Sequence, residues 1–160
     1  MKIIYRKIEK TDYPFLREML YEALFVPKGG SPFNKSIIDQ PDIIKYILNW
    51  DNKKDFGLIA LIDNNNIGAV WGRLFSKENK GYGFINENIP ELSIALKKKY
   101  RNKGIGRDLM NEFFEYAKIR NIEYLSLSVD KRSRAVNFYK KLGFKIVAEE
   151  GTAYTMKINI

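Results

Sequence analysis

The stretch Lys97-Lys98-Lys99-Tyr100-Arg101-Asn102-Lys103-Gly104-Ile105-Gly106-Arg107 joins an apolar run, Glu91-Leu92-Ser93-Ile94-Ala95-Leu96, to a segment in which Ile105, Leu109, Phe113, Tyr116 and Ala117 recur mostly at spacings of three and four. The first pattern reads as a strand and the second as an amphipathic helix. The turn between them therefore lies at a helix start, where the leading N–H groups have no partner within the helix and the macrodipole leaves partial positive charge. Anions collect at such ends. Gly104 and Gly106 put no Cβ in the way of an approaching pyrophosphate, and Arg101, Lys103 and Arg107 supply charge-assisted donors. No Gly-Lys-Ser/Thr follows, which excludes the nucleotide-triphosphate loop, and the absence of Gly-x-Gly-x-x-Gly argues against a dinucleotide site.

A second segment lies downstream. Leu125-Ser126-Leu127-Ser128-Val129 alternates as a strand does, and Asp130 to Ser133 leads into a short helix closed by Gly143, a residue suited to the position just past a helix end. Arg101-x-x-Gly104-x-Gly106 resembles the coenzyme A pyrophosphate loop of the GNAT superfamily of N-acetyltransferases. The run Ala135-x-x-x-Tyr139-x-x-x-Gly143-Phe144 is similar to that family's other signature. Their order and their separation of about thirty residues fit one strand-helix-strand unit.

The resemblance implies an α/β fold, α+β by some schemes: a mixed, mostly antiparallel sheet of six to seven strands, helices on both faces, splayed at the cofactor strand. It implies acetyl-coenzyme A as co-substrate and an amine-bearing acceptor. Ile94, Ala95 and Leu96 would hold the pantetheine arm by their backbone. Arg101, Asn102, Lys103, Gly104, Ile105, Gly106 and Arg107 would hold the pyrophosphate, with Ser133 at the place where many relatives carry a cofactor-contacting Asn. Tyr139 falls on the family's general-acid tyrosine, although a tyrosine at this spacing also suits packing. Glu91 is the candidate general base, with stabilisation of the loop or attraction of a cationic substrate as alternatives. Some relatives carry a second glutamate just before the position of Val129. Here that place is Ser128, which cannot act as a base, and Ser133 offers a shorter donor that suits helix capping.

The rest of the chain is compatible with this frame. Ile3 to Ile8 reads as a first strand, Thr11 or Asp12 as the N-cap of a helix running to Leu24, and Ile37 to Leu48 has helical spacing. Phe56 to Ile62 and Ile67 to Leu74 flank Asp63-Asn64-Asn65-Asn66 as a hairpin, and Ile146 to Ala148 and Ala153 to Ile158 can end the sheet. With 160 residues, 45% hydrophobic content and no linker or repeat, residues 1–160 read as a single domain. The chain has no cysteine and no histidine, so neither a disulfide framework nor a thiolate or imidazole metal site is expected. No apolar run is long enough to span a bilayer and no signal-peptide core is visible, which favours a cytoplasmic protein without a membrane partner.

The net charge of +9 raises the question of nucleic acid, yet the densest basic cluster surrounds the proposed cofactor loop and no nucleic-acid-binding motif is present. A nucleic-acid partner is therefore not expected, and a homodimer is left open. A non-catalytic acyl-coenzyme A binding module is the main alternative to the enzyme. For the acceptor, Tyr21, Phe25, Phe33, Trp71, Tyr82 and Phe84 are candidates for an aromatic pocket, and Glu22, Glu87 and Glu91 for attraction of an amine.

Overall fold

The computed structural model describes residues 2–160. In chain order the elements are β1 (Ile4–Lys7), α1 (Tyr13–Ala23), α2 (Pro41–Ile44), β2 (Phe56–Ile62), β3 (Asn65–Arg73) and β4 (Glu91–Leu96). They are followed by α3 (Ile105–Ile119), β5 (Tyr124–Asp130), α4 (Ala135–Leu142), β6 (Lys145–Glu150) and β7 (Ala153–Asn159). The strands make one seven-stranded sheet in the order β1-β2-β3-β4-β5-β7-β6. All neighbours are antiparallel except β4 and β5.

The sheet is covered on both faces, as expected. On one face α3 and α4 pack Leu109, Phe113 and Val136 against Phe56, Val70, Leu92 and Leu127. On the other, Leu16 and Met19 of α1 and Ile47 meet Ile59, Trp71 and Ala95. Phe113 and Trp71 are both fully buried, so truncating either to alanine would cost about 3–5 kcal/mol.

The feature that positions the site is the junction of β4 and β5. β3 and β4 pair from Arg73↔Glu91 to Gly68↔Leu96, whereas β4 and β5 share only Glu91↔Ser126. Beyond that pair the strands diverge, leaving the β5-side edge of Ile94, Ala95 and Leu96 without a strand partner. The loop before β4 occupies the apex of the splay. A Cβ on Gly83 would lie 2.5 Å from the Leu127 carbonyl carbon and 2.7 Å from the Ser128 nitrogen, so only glycine allows this backbone so close to β5.

Two local expectations are corrected and a third is refined. Ile37 to Leu48 is not one helix: a 3-10 turn over Lys35–Asp39 is followed by α2 at Pro41–Ile44 and then by turns. The physical reason is Pro41, which forces extended backbone on Gln40 (ψ 136°) and so breaks the helix there. The β2–β3 hairpin turns on Asp63 and Asn64 alone, with φ of 49° and 63°, while Asn65 and Asn66 already belong to β3. Two consecutive positive φ values match the twist of the flanking strands, and Asp and Asn tolerate them. Asp12 stands at the N-cap position of α1, as the sequence suggests, but its side chain makes no cap to the helix. Its carboxylate instead accepts from Arg6 (2.8 Å to each oxygen) and from the Glu9 N–H (2.8 Å).

Candidate active site

The splay opens into a cleft of about 860 Å³. It is lined from one side by Ile94, Ala95, Leu96, Arg101, Asn102, Gly104, Gly106 and Arg107, and from the other by Ser133, just before α4, and by Phe138 and Tyr139 of α4. The cofactor residues expected from the sequence are thus brought together, with two exceptions. Lys103 is exposed on the loop outside the lining, and the Ile105 side chain is buried in the core. Ile105 can offer only its N–H.

The loop is shaped by local backbone. Asn102 has φ of 61° and Gly104 has φ of 83°, both left-handed, and Gly104 caps α3. The Asp108 N–H returns to the Gly104 carbonyl at 3.2 Å, so the N–H groups of Ile105, Gly106 and Arg107 precede the first helical bond and have no helical acceptor. A Cβ on Gly104 would meet nothing within 4 Å, and one on Gly106 only Phe138 at 3.6 Å and Leu96 at 3.7 Å among its near neighbours. The protein itself does not crowd these glycines. The space they leave opens on the cleft.

Arg101, expected as a phosphate donor, lines the cleft but already has partners within the protein. Its Nε donates to the Leu96 carbonyl (3.1 Å) and its Nη2 to Glu22 Oε2 (2.8 Å). This arginine ties the end of β4 to the end of α1 and leaves Arg107, with Lys98 and Arg134, as the cationic side chains at the cleft not held this way. The Ser133 hydroxyl accepts from the Ala135 N–H at 3.1 Å, the capping part the sequence suggested, while still lining the cleft.

Tyr139 is a partly buried ring packed edge-on against Phe138 (5.3 Å between centroids) and Phe144 (5.7 Å). Burial pushes its phenol up to about 12, so it keeps its proton at neutral pH. No hydrogen bond engages its hydroxyl among the described residues. Packing and an available donor are both present in this one side chain.

Glu91 stands in a different environment. It is 4% exposed, and the cleft lining does not include it. Its Oε2 accepts from the Tyr46 hydroxyl (2.5 Å) and its Oε1 from the Gly83 N–H (3.0 Å). The Tyr82 N–H in turn donates to Tyr46 Oη at 2.7 Å. Burial raises the Glu91 carboxyl to about 7 against the lowering effect of the Tyr46 and Gly83 hydrogen bonds and of Lys45. Tyr46 is itself fixed from behind, because the Trp71 indole donates to its carbonyl (2.9 Å) and Arg73 donates to the Lys45 carbonyl (2.8 Å) while pairing with Asp55 (3.0 Å). Sequence reasoning missed Tyr46, since nothing local marks a residue that bonds a carboxylate 45 positions away.

The aromatic candidates divide. Tyr21, Phe25 and Phe33 line the cleft, Trp71 is core, and Tyr82 and Phe84 lie outside the lining. Of the acids proposed to attract an amine, only Glu22 reaches the cleft. Glu87 accepts from the Lys77 N–H at 3.3 Å on the exposed loop. Among the described residues no helix is long and apolar enough to cross a membrane.

Comparison with known proteins agrees with this geometry. A family model described as "Acetyltransferase (GNAT) family" matches residues 15–144. No curated protein sequence matches the chain. Among solved structures the chain is similar to the PaiA N-acetyltransferase from Thermoplasma acidophilum in complex with coenzyme A, at 23% identity, TM-score 0.70 and 100% coverage of both chains. It is also similar to the ribosomal-protein-S18-alanine N-acetyltransferase from Escherichia coli, at 16% identity and TM-score 0.68, covering 99% of this chain and 94% of that one. A third likeness is to YncA, a putative acetyltransferase from Salmonella typhimurium with its cofactor acetyl-CoA, at 14% identity and TM-score 0.66, with 99% and 94% covered. At these identities the structures speak for the fold, and the family model covers most of the chain. The chain belongs to the GNAT family of acetyltransferases.

Proposed function

We propose that the chain transfers the acetyl group of acetyl-coenzyme A to a primary amine by direct attack in a ternary complex, with the pantetheine arm lying in the splay between β4 and β5. The observation that carries this reading is the coincidence, in one cleft, of an unpaired strand edge at Ile94 to Leu96, the N–H groups of Gly106 and Arg107 without helical acceptors, and the unengaged Tyr139 hydroxyl. The strand edge suits the amides of pantetheine and can polarise the thioester carbonyl. The helix start suits the pyrophosphate.

The chemistry follows from these placements. The neutral amine attacks the thioester carbonyl, the C–N bond forms and the C–S bond breaks. Tyr139 gives its phenolic proton to the departing thiolate, and the proton lost by nitrogen on forming the amide restores the phenol. Glu91 we assign to closing the apex of the splay rather than to direct proton abstraction. Its carboxyl has a pKa suited to a base, but both oxygens are occupied and the cleft does not reach it. The amine then loses its proton to solvent through the open cleft before attack.

The test is thiol release from acetyl-coenzyme A in the presence of a panel of primary amines. Amine-dependent release is expected. Acetyl-coenzyme A binding without release from any amine would instead make this chain a coenzyme-binding module.

A further inference from the structure

The cleft has two walls because the sheet is open. One wall, from the 101–107 loop and α4, carries the cofactor in the reading above. The other, on the α1 face of the sheet, is built by the end of α1 and the connection that follows: Tyr21, Glu22, Leu24, Phe25, Val26 and Phe33. An acceptor has to meet the thioester from this second wall, since the first is occupied.

The charge on that wall decides what it can hold. Glu22 is the only acid among the described residues lining the cleft, and its carboxylate is already paired with Arg101 at 2.8 Å, its side chain 21% exposed. The hydroxyl of Tyr21 is spent on the Phe33 carbonyl at 2.5 Å. The face of Phe25 is covered by the Arg132 guanidinium, 5.3 Å from the ring centroid. Arg132 is held there by Asp130, with two contacts of 3.0 Å. A cation brought to this wall would find no unpaired carboxylate, the Arg132 guanidinium already over one face of Phe25, and only the exposed ring of Phe33 as a bare aromatic surface. Bringing an ammonium group out of water is unfavourable without a carboxylate to receive it, and an exposed ring such as Phe33 returns only a small part of that cost. What the wall does offer is apolar: Leu24, Val26, the part of Phe25 that Arg132 leaves uncovered, and the 41%-exposed ring of Phe33.

We propose that the acceptor is a monoamine carried on an apolar, preferably aromatic, body, and not a polyamine. This rests on the acetyl-transfer reading above. One amine can enter neutral and be consumed by the reaction, and its apolar body covers Phe25 and Phe33. A polyamine would have to leave at least one further ammonium group against a wall that lacks a partner for it.

The experiment begins with calorimetric titration of acetyl-coenzyme A. Thiol release is then measured with three acceptors: phenethylamine, a short peptide beginning with Phe, and spermidine. Phenethylamine or the Phe peptide should be used with a kcat/KM at least ~10-fold above spermidine, and the better of the two distinguishes a free arylalkylamine from a peptide α-amine as its source. Phe25→Ala and Phe33→Ala should each raise KM for that acceptor several-fold with the acetyl-coenzyme A affinity unchanged. Spermidine used equally well or better would overturn the proposal, as would refusal of both aromatic amines by protein that binds acetyl-coenzyme A. Failure to bind acetyl-coenzyme A at all would instead overturn the acetyl-transfer reading, and this one with it.

Discussion

The two ends of β4 hold polar groups in opposite conditions. At its start, Glu91 is enclosed, and each of its oxygens has a donor, from Tyr46 and from Gly83. Just past its end, the 104–107 backbone presents N–H groups without helical acceptors and two glycines whose missing Cβ atoms leave open space. Buried polar groups that are already satisfied hold a structure together, while groups left unsatisfied beside a cleft are poised for a ligand. In the reading proposed above, binding belongs to the far end of the strand and support to the near end, even though the near end has the pKa that invites a catalytic reading.

The largest expected effect tests the unengaged donor. Tyr139→Phe keeps the ring and its contacts with Phe138 and Phe144, so coenzyme affinity and melting temperature should hold while kcat falls by ~10²- to 10⁴-fold. Because burial keeps the phenol protonated up to about 12, the wild-type rate should not decline through loss of this proton as pH rises from 7 to 9. Full activity in the variant would return Tyr139 to a packing role.

Next in size is Gly104→Val, which sets a β-branched residue at φ of 83°. The left-handed backbone costs such a residue about 1–2 kcal/mol, a fall in melting temperature of roughly 2–8 °C for a chain of this length. Coenzyme affinity should drop by at least ~100-fold, as calorimetry would show. A folded variant with unchanged affinity would place the phosphate elsewhere.

The near end of β4 should respond in stability rather than in rate. The folded carboxyl of Glu91 stands at about 7 against 4.5 for the ordinary group. The folded state therefore binds the extra proton between those values, and stability falls as pH rises through that window. Denaturant unfolding from pH 5 to 8 should show this decline in the wild type, and Glu91→Gln should lessen it. Tyr46→Phe removes a donor from the carboxylate and should cost about 1–3 kcal/mol, with kcat within about threefold of the parent. A pH–rate profile whose shape changes in Glu91→Gln would restore this residue to the chemistry and erase the contrast.

What the sequence made legible was local. The Gly104-x-Gly106 turn, the apolar spacing of α3 and the stop at Gly143, found here with φ of 109°, each depend on neighbours a few residues apart. What it hid was long-range. Arg101 bonds Glu22 across 79 positions and Glu91 bonds Tyr46 across 45, and no local pattern marks either pairing. The partners of Arg101 and Glu91 therefore emerge only in the folded chain, while their positions were legible in the sequence. The break at Pro41 was legible in principle, because a residue before proline disfavours helix. The apolar spacing of Ile37 to Leu48 masked it.

The most direct test of the central claim is Gly106→Ala. Position 106 lies in the first turn of α3 with no close protein neighbour for a Cβ, the nearest being Phe138 at 3.6 Å. Alanine there should stabilise the free protein by about 0.4–1 kcal/mol, a rise of roughly 1–4 °C in melting temperature. On the proposed reading the same methyl group stands where the pyrophosphate has to approach, so acetyl-coenzyme A affinity by calorimetry should fall by ~10-fold or more. A more stable protein that binds its coenzyme more weakly is the predicted result. Unchanged affinity in a stabilised variant would contradict the assignment of this cleft and loop to the coenzyme.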